Sequence, residues 1–356
     1  MNLAKFYLQA YEFTEQEISA SVKEIENLYK QINKDINAQI KQQYLKYLSA
    51  VNTADYYNEM IKYDRLVNLE KQIQATYLSI DKKIQKTTGQ ALKTGFSNLY
   101  YRQAFINQWL EPGLSIGGLP DDLIELTVFG TKESWKRITE SIKKRYGDMN
   151  LYQPQIGTLS KLLKENATET VDKLRRQLTN GLNAGYSYTD MSRSVYDIIG
   201  RKNVIKGVET YSGALYKSLR IVRTEGTRVM NDAGYAQSKY MESQGLETYK
   251  LWIATLDIAT RAAHARLDGQ KVKPDEYFRI GEDKALSPGN FSLVKNNANC
   301  RCSIGQTIGD WSPKARRGRN PVTGKNEVFG FKNFDQWRED NNLIKNKYGE
   351  ILLDRN

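Results

Sequence analysis

Two long runs of regularly spaced apolar residues constrain the fold more than any other feature of the sequence. Within each run the apolar side chains recur at steps of three or four residues, which places them on one face of an α-helix. The first run comprises Ile18, Val22, Ile25, Tyr29, Ile32, Ile36 and Ile40, and the second comprises Leu66, Leu69, Ile73, Tyr77, Ile80 and Ile84. Together they predict a long N-terminal helical hairpin.

The limits of this hairpin are also predicted from the sequence. Thr14 and Glu17 have the spacing of a capping box, which predicts a helix start at Thr14. The periodic pattern breaks around Asn52 to Asp55. An apolar stripe of this kind usually packs within its own chain, and docking on a partner is the alternative that we keep open.

The pattern changes further along the chain. Residues 111–120 are rich in glycine and proline and predict a loop. Helices are predicted over 121–146, 158–180 and 211–244, and Thr189 or Asp190 is the predicted N-cap of another helix. After Gly245, alternation from Tyr249 to Ile253 predicts a strand, and a short helix follows within 259–267.

The predicted fold class is therefore mainly α with a C-terminal α+β domain. We divide the chain into a helical arm for partner docking, a helical linker region, a compact α+β domain and a basic tail with a terminal helix from Asp335. The corresponding ranges are 1–110, 111–185, 186–310 and 311–356.

The charge balance favours a polyanionic partner. The 356 residues carry a formal net charge of +12, and Lys314, Arg316, Arg317 and Arg319 form the densest basic run. Basic side chains bind duplex DNA by neutralising its phosphates, with little demand on sequence. An ordinary solvated basic loop is the alternative.

Several enzyme classes are excluded by the residues that the chain lacks. His264 is the only histidine, which excludes a metal helix with two histidine ligands. We find no phosphate-binding Walker loop, no dinucleotide glycine pattern and no G-x-S-x-G elbow. We find no positively charged segment followed by an apolar one at the start of the sequence, so no secretory signal is predicted. No apolar run reaches the roughly 18 residues that a membrane span needs.

An ordered series of motifs carries a family resemblance. Arg223-Thr224-Glu225 opens a helical segment, "KLWIATLDIATRAAHARLDGQ" follows it, and "NNANCRCSI" closes the series. This order and spacing resembles the Mu F-like head-morphogenesis domain of tailed phages, which we assign to 186–310. The resemblance implies a minor head protein inside the virion, near the portal. Because neither a secretory signal nor a membrane span is predicted, we expect the protein to be made in the host cytoplasm. Its implied partners are the portal protein, other capsid or scaffolding proteins and double-stranded DNA during packaging or ejection.

Four side chains could form a metal site. Cys300 and Cys302 offer thiolates, His264 an imidazole and Asp257 a carboxylate. Zinc accepts such mixed sulfur, nitrogen and oxygen ligands in a tetrahedral shell, so zinc is the one cofactor that the sequence suggests. The alternative is two small buried cysteines beside a hydrogen-bonded histidine.

A second polar group has two interpretations. The group could be the catalytic cluster of a nuclease or transferase, because it offers an acid, a base and a phosphate-binding cation. Its members are Arg223, Glu225, Asp257, Arg261 and His264. We favour instead a structural role for Arg223, Glu225 and Arg261 in buried ion pairs, without catalytic residues. The expectation is a structural protein, with a nucleic-acid- or nucleotide-processing enzyme as the alternative.

Overall fold

A computed structural model describes residues 3–50, 57–184, 186–205, 208–309, 311–345 and 351–353. The predicted break at Asn52 to Asp55 lies outside these residues. The helices are α1 (Leu3–Ala50), α2 (Tyr57–Leu110), α3 (Asp121–Phe129), α4 (Lys132–Lys136), α5 (Glu140–Tyr146), a 3-10 helix (Met149–Tyr152), α6 (Leu159–Asn183), α7 (Tyr188–Ile199), α8 (Gly213–Ser243), α9 (Ala262–Ala265), α10 (Val294–Asn297) and α11 (Phe334–Asp340).

The strands lie in the C-terminal part of the chain, and every pairing within them is antiparallel. They are β1 (Lys202–Ile205), β2 (Val208–Tyr211), β3 (Thr248–Ile253), β4 (Lys271–Val272), β5 (Phe278–Ile280), β6 (Asp283–Ala285), β7 (Ser303–Ile308), β8 (Ala315–Arg319), β9 (Asn326–Gly330), β10 (Leu343–Lys345) and β11 (Ile351–Leu353). The mainly helical class with small C-terminal sheets agrees with the prediction. In the part of the chain that the structure describes, no helix has both the length and the apolar character of a membrane span.

The chain forms two compact units. The first unit comprises Met1–Ile18, Gln90–Thr158 and Arg223–Asn356, and the second comprises Ser19–Gly89 and Leu159–Val222. Each unit is assembled from stretches that are far apart in sequence. The compact units therefore do not coincide with the contiguous ranges that the sequence suggested.

The second unit contains most of both predicted apolar stripes. Ile25, Ile32 and Ile36 of α1 are fully buried, and so is the α2 stripe from Leu69 to Ile84. Side chains of the two helices meet, since the Tyr29 and Tyr77 hydroxyl oxygens lie 3.0 Å apart. The stripes thus pack within the chain, as apolar helix faces usually do.

Several predicted helix boundaries are wrong. α1 begins at Leu3, so Thr14 lies inside the helix and does not cap it. The cap of α7 is Ser187, whose hydroxyl accepts a hydrogen bond from the Asp190 backbone N–H, not Thr189 or Asp190. The predicted helix over 121–146 is three short helices, because Gly130 takes a left-handed conformation and Thr131 and Thr139 each cap a new start.

The sheet in the first unit has the strand order β4-β3-β7, and β3 is the strand predicted from the alternation after Gly245. β3 pairs with β7 from Thr248 opposite Ile308 to Ile253 opposite Ser303. Trp252 of β3 is fully buried in a core that it shares with Phe278 and Phe291. Cys300 and Cys302 belong to the same core.

The C-terminal segment after residue 310 is folded into this core. β8 and β9 form a hairpin, and α11 follows with a capping box made by Asn333 and Gln336. Phe334 and Trp337 are buried in the core that contains Trp252. The structure has a helix where one was predicted from Asp335, but this helix is not terminal, because β10 and β11 follow it. The segment is part of the globular unit and not a separate tail.

Candidate metal centre

His264, Cys300 and Cys302 come together in the first unit. The Nδ1 atom of His264 lies 3.5 Å from the Sγ of Cys300 and 3.4 Å from the Sγ of Cys302. The three ligand atoms all lie within 4.8 Å of one another, and the three residues are between 2 and 4% exposed. Three of the four predicted metal ligands are thus neighbours.

Local structure explains how the two sulfur atoms reach the same side. Cys300 follows α10, and Cys302 directly precedes β7. Residues two positions apart in an extended chain point to the same face. Asn299, in a left-handed conformation with φ of 53°, turns the chain between α10 and Cys300.

Side chains of α8 hold the C-x-C segment at its backbone. Thr227 donates its hydroxyl to the Cys300 carbonyl at 2.7 Å. The Asn231 amide donates to the Cys302 and Pro288 carbonyls at 3.0 Å each, and its oxygen accepts from the Ile304 N–H at 2.8 Å. Because each of these groups is satisfied, the segment has a defined position beside α8.

The two thiols share their protonation. The hydrogen bond from the Cys302 thiol lowers the pKa of Cys300 well below its usual value, and burial opposes this shift. The same hydrogen bond raises the pKa of Cys302 well above its usual value. Within this coupled pair, Cys300 therefore loses its proton more readily than Cys302.

Asp257 is not part of this group, which corrects the prediction that it is a ligand. Its carboxylate accepts hydrogen bonds from Arg301 at 2.8 Å and from the Ala259 N–H at 2.7 Å. Burial opposes ionisation, but these two hydrogen bonds lower the pKa of Asp257. Its charge is thus balanced by an arginine, away from the sulfur atoms.

One residue of the predicted polar cluster, Glu225, belongs to a buried triad of charged side chains. Glu225 accepts two hydrogen bonds from Arg228, at 3.0 and 2.9 Å, and Arg228 donates a third to Asp232 at 2.8 Å. All three side chains are at most 4% exposed. Burial raises the pKa of Asp232 to about 7, and the positive charge of Arg228 acts in the opposite direction.

Arg223 and Arg261 occupy different surroundings. Arg223 is half-buried on α8. Arg261 donates to the Ala298 carbonyl and so connects the start of α9 with the end of α10. The structural role that we assigned to Glu225 agrees with its buried ion pairs.

The sequence analysis missed Arg228 and Asp232, which complete the triad. A signal was present, because Glu225, Arg228 and Asp232 follow one another at helical steps of three and four residues. It also missed Lys250, which is fully buried and donates to the Glu276 carbonyl at 2.7 Å and the Leu286 carbonyl at 3.0 Å. Burial lowers the pKa of Lys250 to about 7.

The predicted DNA-binding run is divided by its environment. Arg316 is buried and donates to both carboxylate oxygens of Asp268, at 2.8 and 3.0 Å. The prediction that Arg316 contacts DNA is therefore wrong, because this residue forms an ion pair in the core. Arg317 is half-buried, with its guanidinium 2.9 Å from the Glu15 carboxylate. Lys314 and Arg319 are exposed, although Arg319 also donates to the Gly324 carbonyl at 2.9 Å.

Comparison with known proteins shows which family the motif-bearing part of the chain resembles. The family described as "Phage Mu protein F like protein" matches residues 172–305, which contain α8, His264 and both cysteines. Residues 172–305 of this chain are therefore similar to the phage Mu F-like family. This range is close to the 186–310 assigned from the motifs, and the match confirms the resemblance.

Two relatives extend the comparison. The chain is 25% identical over 329 residues to the minor head protein GP7 of Bacillus phage SPP1, covering 90% of this chain and 93% of that protein. It is also 30% identical over 197 residues to a protein of Enterococcus faecalis named NAD(+)--arginine ADP-ribosyltransferase EFV. That second match covers 54% of this chain but only 37% of the relative. No solved structure matches the chain.

Proposed function

We propose that this chain is a minor head protein of a tailed phage, built into the virion near the portal. The observation that carries the proposal is the similarity to a minor head protein over 90% of this chain and 93% of the relative. Similarity of this extent includes the long helices as well as the motif-bearing domain. It therefore supports a shared role for the whole chain and not only for one domain.

The chemistry of the polar residues supports a structural role. Glu225 and His264 are the strongest acid–base candidates, and they are 3% and 2% exposed. Glu225 is also fixed by two hydrogen bonds from Arg228. A general acid or base must reach the substrate directly or through one water molecule, and neither residue is open to solvent.

Within the virion we assign the protein two contacts, one with the portal protein and one with the packaged DNA. The portal contact rests on the family resemblance, and the DNA contact rests on the net charge of +12 and on the exposed Lys314 and Arg319. Phosphate contacts of this kind suit DNA of any sequence during packaging or ejection. Other capsid or scaffolding proteins are further partners.

The test of the portal contact is co-purification. The chain is expressed together with the portal protein of the same phage, and the tagged portal protein is purified. We expect the chain to remain bound through size-exclusion chromatography, and to be present in purified heads by mass spectrometry. Absence from purified heads would overturn the proposed function, whereas presence in heads without portal binding would overturn only the location.

The test of the DNA contact uses the two exposed cations. Binding to random duplex DNA is measured as a function of salt for the wild-type chain and for the double variant Lys314→Ala/Arg319→Ala. We expect weaker binding and a salt slope reduced by about 2, close to one for each lost phosphate contact. Lys173→Ala, at an exposed site of the second unit, is the control and should leave the slope unchanged.

An enzyme is the second candidate, because one relative carries the name of an ADP-ribosyltransferase. We rank it lower because the match covers only 37% of that relative and leaves the other 63% outside. The assay is NAD(+) consumption by the purified chain in the presence of an arginine-containing protein. We expect no turnover. Turnover that disappears in a folded Glu225→Gln variant would replace the structural proposal with the enzymatic one.

A further inference from the structure

We propose that His264, Cys300 and Cys302 bind one zinc ion, which ties the C-x-C segment to α9. The proposal is independent of the function proposed above, because it rests only on the residues around the three ligand atoms. It concerns a buried metal site with three protein ligands among the residues that the structure describes.

The distances match those of a tetrahedral zinc shell. Zinc binds sulfur at about 2.3 Å and nitrogen at about 2.0–2.1 Å, so the nitrogen and sulfur ligands of a regular tetrahedron lie about 3.6 Å apart. The Nδ1 atom of His264 lies 3.5 Å from one sulfur atom and 3.4 Å from the other. Both nitrogen–sulfur distances therefore match the corresponding edges of a tetrahedral zinc shell.

A hydrogen-bonded cluster explains this geometry less well than a cation does. The Nδ1 atom of a histidine carries at most one proton, so without a metal ion two contacts of nearly equal length require that proton to be shared between both sulfur atoms in a three-centre hydrogen bond. The Nδ1 distances to Cys300 and Cys302 differ by 0.1 Å, from 3.5 to 3.4 Å. A metal ion between the three atoms accounts for two equivalent contacts.

The surroundings suit a soft metal ion better than a hard one. Trp252 and Phe291 pack against the His264 ring, with ring centroids 5.7 and 6.2 Å from it. Asp257, the carboxylate that the sequence placed in the site, is held by Arg301. Two thiols and an imidazole in apolar surroundings favour zinc, whereas magnesium and calcium require oxygen ligands.

The site also joins parts of the chain that otherwise have little regular structure. α9 and α10 are four-residue helices, and Cys300 and Cys302 lie in the irregular segment between α10 and β7. Zinc bound across such segments contributes to folding, because the site does not exist in the unfolded chain. A structural site of this kind would add to the stability that the apolar core around Trp252 supplies.

The decisive experiment measures zinc in the full chain, purified without chelator and without a histidine tag. We expect one zinc ion per chain by elemental analysis. Cys300→Ser should lose nearly all of the metal, and Asp257→Asn should keep it, because Asp257 is not a ligand. Zinc retained by Cys300→Ser, or lost equally from Asp257→Asn, would overturn the proposed ligand set.

A second measurement does not depend on the folding of variants. Zinc is removed from the wild-type chain with a chelator, and cobalt(II) is added to the protein that remains folded. We expect thiolate-to-cobalt absorption and the visible bands of tetrahedral cobalt, and slower thiol modification at Cys300 and Cys302, the only cysteines in the chain. A folded chain that binds neither zinc nor cobalt, or that contains a Cys300–Cys302 disulfide by mass spectrometry, would overturn the proposal.

Discussion

The two units of the molecule are stabilised in different ways. In the second unit, long helices bury apolar stripes such as Ile25, Ile32 and Ile36. In the C-terminal part of the first unit, short strands and loops surround buried polar groups, among them Arg228, Asn231 and Lys250. Apolar packing depends mainly on volume and periodicity, whereas a buried polar group needs its particular partners.

This difference predicts how each unit responds to substitution. A change that preserves size should be tolerated where the contacts are apolar and should be costly where buried hydrogen bonds are lost. The chain offers a suitable optical probe, because its five tryptophans, at 109, 135, 252, 311 and 337, all belong to the first unit. Tryptophan fluorescence therefore follows the first unit, and far-UV circular dichroism follows the helices of both.

The largest effect is expected from Arg228→Met. This change leaves the Glu225 and Asp232 carboxylates buried without their cation, which should lower the free energy of unfolding by about 3–5 kcal/mol. The measurement is urea denaturation followed by tryptophan fluorescence. Lys143→Gln is the control, because Lys143 lies in the same unit and its pair with Glu140 has the three-residue spacing of the Arg228–Glu225 pair but is exposed. It should cost less than about 0.5 kcal/mol. Equal costs for the two variants would contradict the role given to burial.

The next effect is expected from Asn231→Leu, which preserves the approximate size of the side chain. The Cys302 and Pro288 carbonyls and the Ile304 N–H would each lose a hydrogen bond in a buried place. We expect a loss of about 3 kcal/mol in the same fluorescence experiment. A loss below about 1 kcal/mol would mean that solvent replaces these bonds.

A smaller effect should appear in the pH dependence of stability. Burial lowers the pKa of Lys250 to about 7, so the unfolded chain binds the extra proton above pH 7 and stability rises with pH. Nearby acidic groups, Asp275 and Glu276, act against this shift. Between about pH 7 and pH 9 the expected gain is about 2 kcal/mol.

The comparison variant for this effect is Lys250→Met. It should remove the gain with pH, because the other titrating groups, including Asp232, are shared with the wild-type chain. The slopes are compared and not the absolute stabilities, since the variant also leaves the Glu276 and Leu286 carbonyls without the lysine donor. An unchanged slope would show that Lys250 remains charged.

The smallest effect is expected from Ile32→Val in the second unit. Removing one methyl group from a fully buried isoleucine should cost about 1 kcal/mol, measured by circular dichroism. The loss of unfolding free energy for Ile32→Val should therefore be about one third of that for Asn231→Leu. This ratio measures the difference between the two units. A cost of Ile32→Val as large as that of Asn231→Leu would remove the distinction.

The sequence predicted best those parts of the fold that repeat regularly. Ile32 and Tyr77 could be assigned to buried helix faces because helical periodicity extends over many residues. β1 and β2 were missed, since Val204, Ile205 and Val208 are exposed and give no buried alternation. The composition of the compact units could not be predicted, because it depends on contacts between distant segments.

The same limit applies to the candidate site. The family motifs identified His264, Cys300 and Cys302, which the structure brings together. They could not distinguish Asp257, which pairs with Arg301, from a ligand. The sequence alone could not show which residues of the basic run around Arg316 are exposed, because it does not distinguish an arginine buried beside Asp268 from one in solvent.

The position of the C-terminal segment affects how this protein should be shortened for study. The family match ends at residue 305, yet Phe334 and Trp337 pack in the core with Trp252, and the Phe334 N–H and the Arg316 guanidinium share the Asp268 carboxylate. A fragment cut where the family match ends would uncover an apolar surface and leave Asp268 without its arginine. Such a fragment would aggregate readily, and its behaviour would say little about the intact domain.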